Sequence, residues 1–312
     1  MPVRAMPDAY NARPSAPSRT MPQRRYLQFD VFADRPGAGN PLAVVLDCEE
    51  LDEAEMQAIA RWSNRPETTF VFPPSDPEAG YRVRMFSPAK EVPFAGHPSV
   101  GTAYAVLEAG MAEVVDGHVW QEGLAGVLPL AVSGDGPERT LAVRAPRARV
   151  VAVGERDAPT LAGPLRPFAP GRLPPALMDG GRRWWVAEVA SEQALRTAVP
   201  DWEAIEALAG HTGSMGLCAF AFAGPGKDYD LVVRALVGAG KRFEDAASGA
   251  ANATLAAWLH HNDALPGRGG AYTVSQGREV GFDARLHLRI DAEGEVWSGG
   301  RVCPVVRGHI DW

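Results

Sequence analysis

Cysteine is scarce in this 312-residue chain, and the three present do not form a pattern. Cys48, Cys218 and Cys303 are far apart, odd in number and free of any C-x-x-C spacing, which argues against a disulfide scaffold and the common zinc frameworks. Reduced thiols in a cytoplasmic protein are the expectation. Positive charge is also short, with 31 Lys and Arg against 38 Asp and Glu and a formal net charge of −7. No basic stripe is present, so no nucleic-acid partner is expected. No apolar run reaches the length of a bilayer span, so no membrane partner is expected either. H-E-x-x-H, P-loop and G-x-G-x-x-G fingerprints are missing. The neighbours His260 and His261 would point in different directions on a helix, where chelation needs positions i and i+4. The segment Gly224-Pro225-Gly226-Lys227 reads as a loop, not a phosphate cradle. Neither a metal nor a cofactor is expected.

What is present is an ordinary globular balance of apolar and charged residues, over a length that suggests two domains with ample core. Residues 1–24 carry prolines and arginines without an apolar stretch. That composition reads as a disordered tail rather than a secretory signal, with folded structure starting near Tyr26. Lobes are expected over 25–133 and 134–312, with the last C-terminal strand a candidate to complete the first.

The two halves repeat. Tyr81–Phe86 reads as a strand, followed by a loop, Phe94-Ala95-Gly96-His97-Pro98, and an apolar run from Ser99 to Leu107. In the second half Tyr229–Leu236 reads as a strand, followed by a Gly-rich loop, Phe243-Glu244-Asp245, and an apolar run from Ala250 to Leu259. Phe243 follows Phe94 by 149 positions, and Phe220, in a second matched strand, follows Phe70 by 150. An ordered match of strand, strand, loop and helix indicates duplication. Both apolar runs lack charge on every face, so each predicts a helix buried all round. Pro98 suits a first helical turn and Ser248 suits an N-cap. The flanking β-branched and aromatic segments read as strands. The expected class is α+β: two pseudo-symmetric lobes, each a mixed sheet or barrel wrapped around a central buried helix. Two helix N-termini meeting between lobes would make a small anion site, suited to a carboxylate-bearing metabolite.

Several motifs carry a resemblance. Asp30-Val31-Phe32 with Arg35-Pro36 and Gly39-Asn40-Pro41-Leu42-Ala43-Val44-Val45 looks like the opening signature of the phenazine-biosynthesis PhzF-like family. Glu67-Thr68-Thr69-Phe70-Val71 resembles its catalytic-glutamate strand. Phe94 to Gly101 matches its most characteristic motif, and Glu244-Asp245 with Ala247-Ser248-Gly249 resembles its second helix start. The resemblance runs from about Tyr26 to the C-terminus. It implies the diaminopimelate-epimerase fold, a cofactor-free isomerase like the one acting on trans-2,3-dihydro-3-hydroxyanthranilate, and a homodimer. Two departures stand out. The pattern E-D-P-A-T-G-S reads Glu244-Asp245-Ala246-Ala247-Ser248-Gly249-Ala250 here, which removes a hydroxyl at Ala250. After Gln276-Gly277 the R-P-S triplet is replaced by Phe282-Asp283-Ala284.

The candidate catalytic residues are Glu67, His97 and Asp245; Gly96, Ser248 and Gly249 are candidates for substrate binding. A carboxylate at Glu67, among Thr, Phe and Val, would lose hydration and gain a raised pKa, useful for general acid/base work; its plain alternative is a solvated strand-edge glutamate. His97 at a helix start is expected to be neutral and could bond a substrate hydroxyl or amine; a capping or core histidine is the alternative. Asp245 could accept from a substrate amine, or simply cap a helix. Gly96 and Gly249 allow close backbone approach. Gly39 and Asn40 are read as turn and structural residues. Besides the isomerase, an amino-acid epimerase or racemase on the same fold and a non-catalytic small-molecule-binding homologue are open. No cysteine lies in either helix-start motif, which disfavours a two-thiol epimerase.

Overall fold

The structure is a computed structural model that describes residues 21–267 and 269–312. The tail expected at residues 1–24 thus falls mainly outside the described residues, and the first strand, Gln23–Val31, starts three positions ahead of Tyr26. Six α-helices follow in order: α1 (Glu53–Ser63), α2 (Gly96–Glu108), α3 (Pro159–Leu165), α4 (Glu192–Thr197), α5 (Trp202–Thr212) and α6 (Gly249–His261). Among the described residues no helix is long and apolar enough to cross a membrane.

The strands repeat one pairing order in both lobes. In the first, Gln23–Val31 runs antiparallel to Asn40–Val45, which runs parallel to Glu67–Phe72 after the crossover through α1. Tyr81–Phe86 then pairs antiparallel, with the short strand Glu91–Val92 on its end and His118–Gly123 parallel beside it. In the second lobe Ala176–Asp179, Arg183–Glu188, Gly216–Phe222, Leu231–Val237, Phe243–Asp245 and Ala271–Gln276 repeat that series of antiparallel and parallel pairings. An ion pair is duplicated as well: Arg84 bonds Glu91 and Arg234 bonds Glu244, each with a contact of 2.7 Å.

The lobes exchange strands. Thr140–Arg144 closes the first sheet against Gly126–Ser133, and the chain then continues as Arg149–Val153 beside Ala176–Asp179 of the second lobe. The last strand, Val296–Asp311, does the reverse. It pairs with Ala284–Ile290 of the second lobe and then with Gln23–Val31 of the first. Where the two crossing strands meet they pair with each other, Trp297 opposite Arg144, Gly299 opposite Ala142 and Arg301 opposite Thr140. That ladder is symmetric about the Ala142–Gly299 pair and marks the pseudo-two-fold axis.

The two apolar runs form α2 and α6, each buried along nearly its whole length at the centre of its lobe. An all-round apolar helix needs a wall on every side, and the strands supply one. Gly101 of α2 sits so close to the sheet that a Cβ there would lie 2.4 Å from Leu42 and 2.8 Å from Val31.

The residue-level matching of the halves needs correction. Phe94 packs on the core, whereas Phe243 is exposed, and the two are not equivalent. The equivalent helix starts are Gly96 and Gly249, 153 positions apart. The hairpin between Leu236 and Glu244 is three residues longer than the one between Phe86 and Glu91, which shifts the match. Phe70 and Phe220 also face opposite sides of their sheets. Phe70 packs with α1 residues Met56 and Ile59, and Phe220 lies in the central core. A shift of one residue in a strand moves a side chain to the other face, so an apolar-to-apolar match does not secure the register.

Candidate active site

Glu67 is the first residue of its strand. The strand is held from both sides: the hydroxyls of Thr68 and Ser63, and those of Thr69 and Thr102, are each 2.8 Å apart. The second bond ties the strand to α2, which carries His97 in its first turn. Glu67 Oε2 lies 3.4 Å from His97 Nε2, with 17% of the Glu67 side chain and 9% of the His97 side chain exposed. Glu67 is thus a sequestered carboxylate rather than a solvated strand-edge one. The contact is not an ion pair at neutral pH, because burial pushes the imidazole down to about 3 and leaves it uncharged. His97 Nε2 also has no hydrogen-bond partner among the described residues. Burial raises the Glu67 carboxyl to about 7, helped by the negative charge of Asp245 and opposed by the positive charge of Arg182.

Asp245 approaches from the second lobe at the end of Phe243–Asp245. Burial raises its pKa, against hydrogen bonds from the Ala247 N–H, Ser248 and Asn40 and the charge of Arg182. The helix cap belongs to Ser248, whose Oγ accepts from the Ala251 N–H at 3.4 Å. The Asp245 carboxylate instead accepts from the Ala247 N–H, just ahead of the helix, at 3.2 Å.

The helix starts meet. A Cβ built on Gly96 would lie 3.8 Å from the Gly249 Cα, and one built on Gly249 would lie 3.7 Å from the Gly96 Cα. Bare backbone from the two lobes is therefore in near contact. Beneath Gly249 sit the Phe32 ring and Ser298, whose buried Oγ has no hydrogen-bond partner among the described residues. Two unpartnered polar groups and two helix N-termini at one junction are a place where a small polar ligand can complete the bonding.

Comparison with known proteins identifies the family. The family model described as phenazine biosynthesis-like protein matches residues 29–303. The chain belongs to this family. It is 31% identical to the trans-2,3-dihydro-3-hydroxyanthranilate isomerase of Pseudomonas aeruginosa, covering 87% of this chain and 92% of that protein. It is 33% identical to an uncharacterized isomerase of Mesorhizobium japonicum, over 90% and 95% of the two chains. The solved structure of a predicted epimerase from Pseudomonas aeruginosa superposes with a TM-score of 0.74 at 30% identity, over 92% of this chain and 99% of that one. The fold is the diaminopimelate-epimerase-like one, and the protein is an enzyme of the isomerase class.

Three polar residues at this candidate site of the phenazine biosynthesis-like chain were not singled out as site residues in the sequence reading. Asn40, read there with Gly39 as a turn and structural residue, is buried in the strand Asn40–Val45. Its Nδ2 crosses between lobes to Asp245 Oδ1 at 3.2 Å and to the Ala247 carbonyl at 2.8 Å. Gln276 is fully buried. It donates to the Asp245 carbonyl at 2.8 Å and accepts from the Ser248 N–H at 3.3 Å and from Asn252 at 2.7 Å. Its place in the Gln276-Gly277 motif was the available signal. Ser298 carried none, because only strand crossing brings it beneath Gly249. Among the described residues no group of His, Cys, Asp and Glu is arranged to hold a metal ion. Cys48 and Cys218 are buried, and burial pushes both thiols up to about 12.

The departures from the family pattern have distinct physical settings. Ala250 is exposed in the first turn of α6 and offers a methyl group where a hydroxyl was expected. Asp283 gathers Arg35, Arg278 and Arg285 at 3.1, 2.7 and 2.7 Å, and its N–H donates to the Ala38 carbonyl. The altered triplet thus staples loop 32–39 of the first lobe to the second. Burial alone would raise the Asp283 carboxyl, but the bonds from Arg278 and Arg285 outweigh it and hold the group at about 2. A depressed carboxylate stabilises the fold above its unfolded pKa and loses that contribution as pH falls through its folded pKa. Wild type should therefore exceed Asp283→Asn in stability by about 1 kcal/mol above pH 4, because the partners are partly exposed. The difference should vanish as pH approaches about 2. Urea unfolding of both proteins across that range measures it, and a constant difference would reject the staple.

Proposed function

We propose that this protein is a cofactor-independent isomerase that moves a proton between two carbons of a small carboxylate-bearing metabolite. Glu67 takes the proton from one carbon and returns it to another. The observation that carries this reading is the Glu67 carboxyl raised to about 7, beside a neutral imidazole at 3.4 Å. A group that is half ionised near neutral pH is as ready to receive a proton as to give one. His97 bonds a substrate hydroxyl or amine, and Asp245 accepts from another polar substituent. The N–H groups around Gly96, Ser248 and Gly249 hold the carboxylate. The aromatic precursor named for the P. aeruginosa relative is one member of this substrate class. The methyl group of Ala250 supports a substrate that differs from it.

A second reading is an epimerase in which Glu67 and Asp245 act from opposite faces of one carbon. The two carboxylates come from different lobes, and the charge of Asp245 acts on Glu67, which favours it over the two-thiol route. The third possibility, a binding protein without catalysis, is disfavoured by the tuned Glu67. Transfer in D₂O, followed by NMR in wild type, Glu67→Gln and Asp245→Asn, separates the three. A one-carboxylate isomerase loses proton transfer on Glu67→Gln and places deuterium at a new carbon. An epimerase exchanges the same carbon and inverts it, and a binding protein exchanges nothing.

The family resemblance also supports a homodimer acting in the cytoplasm. Sedimentation at about twice the 33.3 kDa chain mass is the expected result, and a monomer at micromolar concentration would contradict it.

A further inference from the structure

The two lobes differ at equivalent mouths. In the first lobe the connection from Val31 to Asn40 folds inward: Phe32 is fully buried against Gly300 and Gly249, and Arg35 is tied to Asp283. In the second lobe the equivalent connection is the tight turn from Asp179 to Arg183, which puts no aromatic ring into the mouth. An open groove of about 620 Å³ remains there, between that turn, the end of α5 and the loop Gly238–Gly240. This is the size of an ordinary small-molecule site. Glycines at 181, 210, 213, 238 and 240 leave its walls as bare backbone.

The groove's charges are accounted for except one. Arg183 is paired with Asp179 at 3.3 Å, and Glu206 is paired with Arg242 at 2.5 Å. Arg182 is exposed and lines the groove, and its guanidinium makes no hydrogen bond or ion pair among the described residues. The groove adjoins the candidate active site. Its Gly238–Gly240 wall leads directly into the strand carrying Asp245, and Gly180, at the root of the turn, abuts Thr254 of α6. The charge of Arg182 is felt at both Glu67 and Asp245.

We propose that this groove is a second binding subsite, which takes an anionic group at the far end of the substrate, with Arg182 as its recognition residue. The proposal rests on the carboxylate-isomerase reading and narrows it. The substrate class becomes molecules with one carboxylate at the helix starts and a second acidic group one chain length away. An exposed, unpaired guanidinium is suited to this, because its planar fork binds a carboxylate through two parallel hydrogen bonds and need not give up an existing partner.

The test is calorimetric binding of straight-chain α,ω-dicarboxylates from succinate to suberate, each against the monocarboxylate of equal carbon number. The wild-type protein should prefer one dicarboxylate length over its monocarboxylate by about tenfold, the usual worth of a charge-assisted bond. Arg182→Gln should remove that preference and leave monocarboxylate affinity within about twofold. Arg182→Lys should retain part of it. Arg183→Gln, which alters the cation already paired, should keep it. Circular dichroism confirms that each variant is folded. Equal binding of both acid classes at every length, or a preference that survives Arg182→Gln, overturns the subsite while leaving the helix-start carboxylate site standing. Failure of every acid of either class to bind overturns both.

Discussion

Glu67→Gln is expected to lose turnover by at least about 10²–10⁴-fold, the usual worth of a general acid/base, and to bind substrate nearly as well as wild type. Glutamine keeps the size and hydrogen-bonding capacity of the side chain, and the helix N–H groups, His97 and Asp245 are untouched; what it cannot do is carry a proton. Asp245→Asn should instead weaken binding and turnover together, because in the proposed mechanism that side chain accepts a hydrogen bond from the substrate. The pH profile should follow the same carboxyl. In the proposed mechanism Glu67 must be ionised to begin the reaction, so wild-type activity should rise with pH through about 7 and fall below it. Stability should move the other way. Glu67 is raised from 4.5 to about 7 on folding, so its contribution is fully present below 4.5 and is lost as pH rises through about 7. Above that pH the buried charge costs up to about 3 kcal/mol, at 1.36 kcal/mol per pKa unit. Glu67→Gln should therefore be more stable than wild type at pH 8, with the gap closing toward pH 4.5. Near-wild-type turnover in Glu67→Gln, together with loss of turnover in Asp245→Asn, would show that the proton carrier has been misassigned.

Gly299→Ala should be among the most damaging single methyl groups in the fold. Gly299 faces Ala142 at the centre of the ladder where the two crossing strands meet. A Cβ there would fall 2.1 Å from the Leu141 carbonyl oxygen and 2.5 Å from the Ala142 Cα. Both are backbone atoms of the partner strand, so no side-chain rotation relieves the clash, and the strands must separate. Overpacking of a core usually costs about 1–3 kcal/mol, and more where the backbone itself must move. This position should exceed 3 kcal/mol, read as a fall in the urea midpoint. The effect should also reach the candidate site, because Ser298, next to Gly299, underlies Gly249. An exposed glycine serves as the control: Gly224, where a Cβ meets nothing within 4 Å, should accept alanine within about 0.5 kcal/mol. Equal stability of Gly299→Ala and Gly224→Ala would contradict the packing described for the crossing.

Much of this protein was legible in the order of its residues, where the signal is local. The charge-free runs after Pro98 and Ser248 could only be helices buried all round, and α2 and α6 are. The Ser248 cap follows from side-chain chemistry within a few residues. The motifs around Glu67, His97 and Asp245 singled out three residues, of which Glu67 and His97 lie side by side and Asp245 acts on Glu67 from the other lobe. Tertiary structure decided the rest. Matching Phe94 with Phe243 failed because a hairpin longer by three residues is invisible to an apolar pattern, and matching Phe70 with Phe220 failed because both faces of an interior strand are apolar. Asn40 reads only as a turn or structural residue until its strand is placed beside the second lobe, where its amide meets Asp245 across 205 positions of sequence. The exchange of strands after Arg144 and after Gly300 depends on pairings between segments far apart in the chain. The raised pKa of Glu67 was expected from its apolar strand, but the charges of Asp245 and Arg182 that also act on it come from distant segments. Periodicity and capping act over one or two turns of chain, whereas register, burial and charge coupling are set by whichever distant segments come to lie alongside.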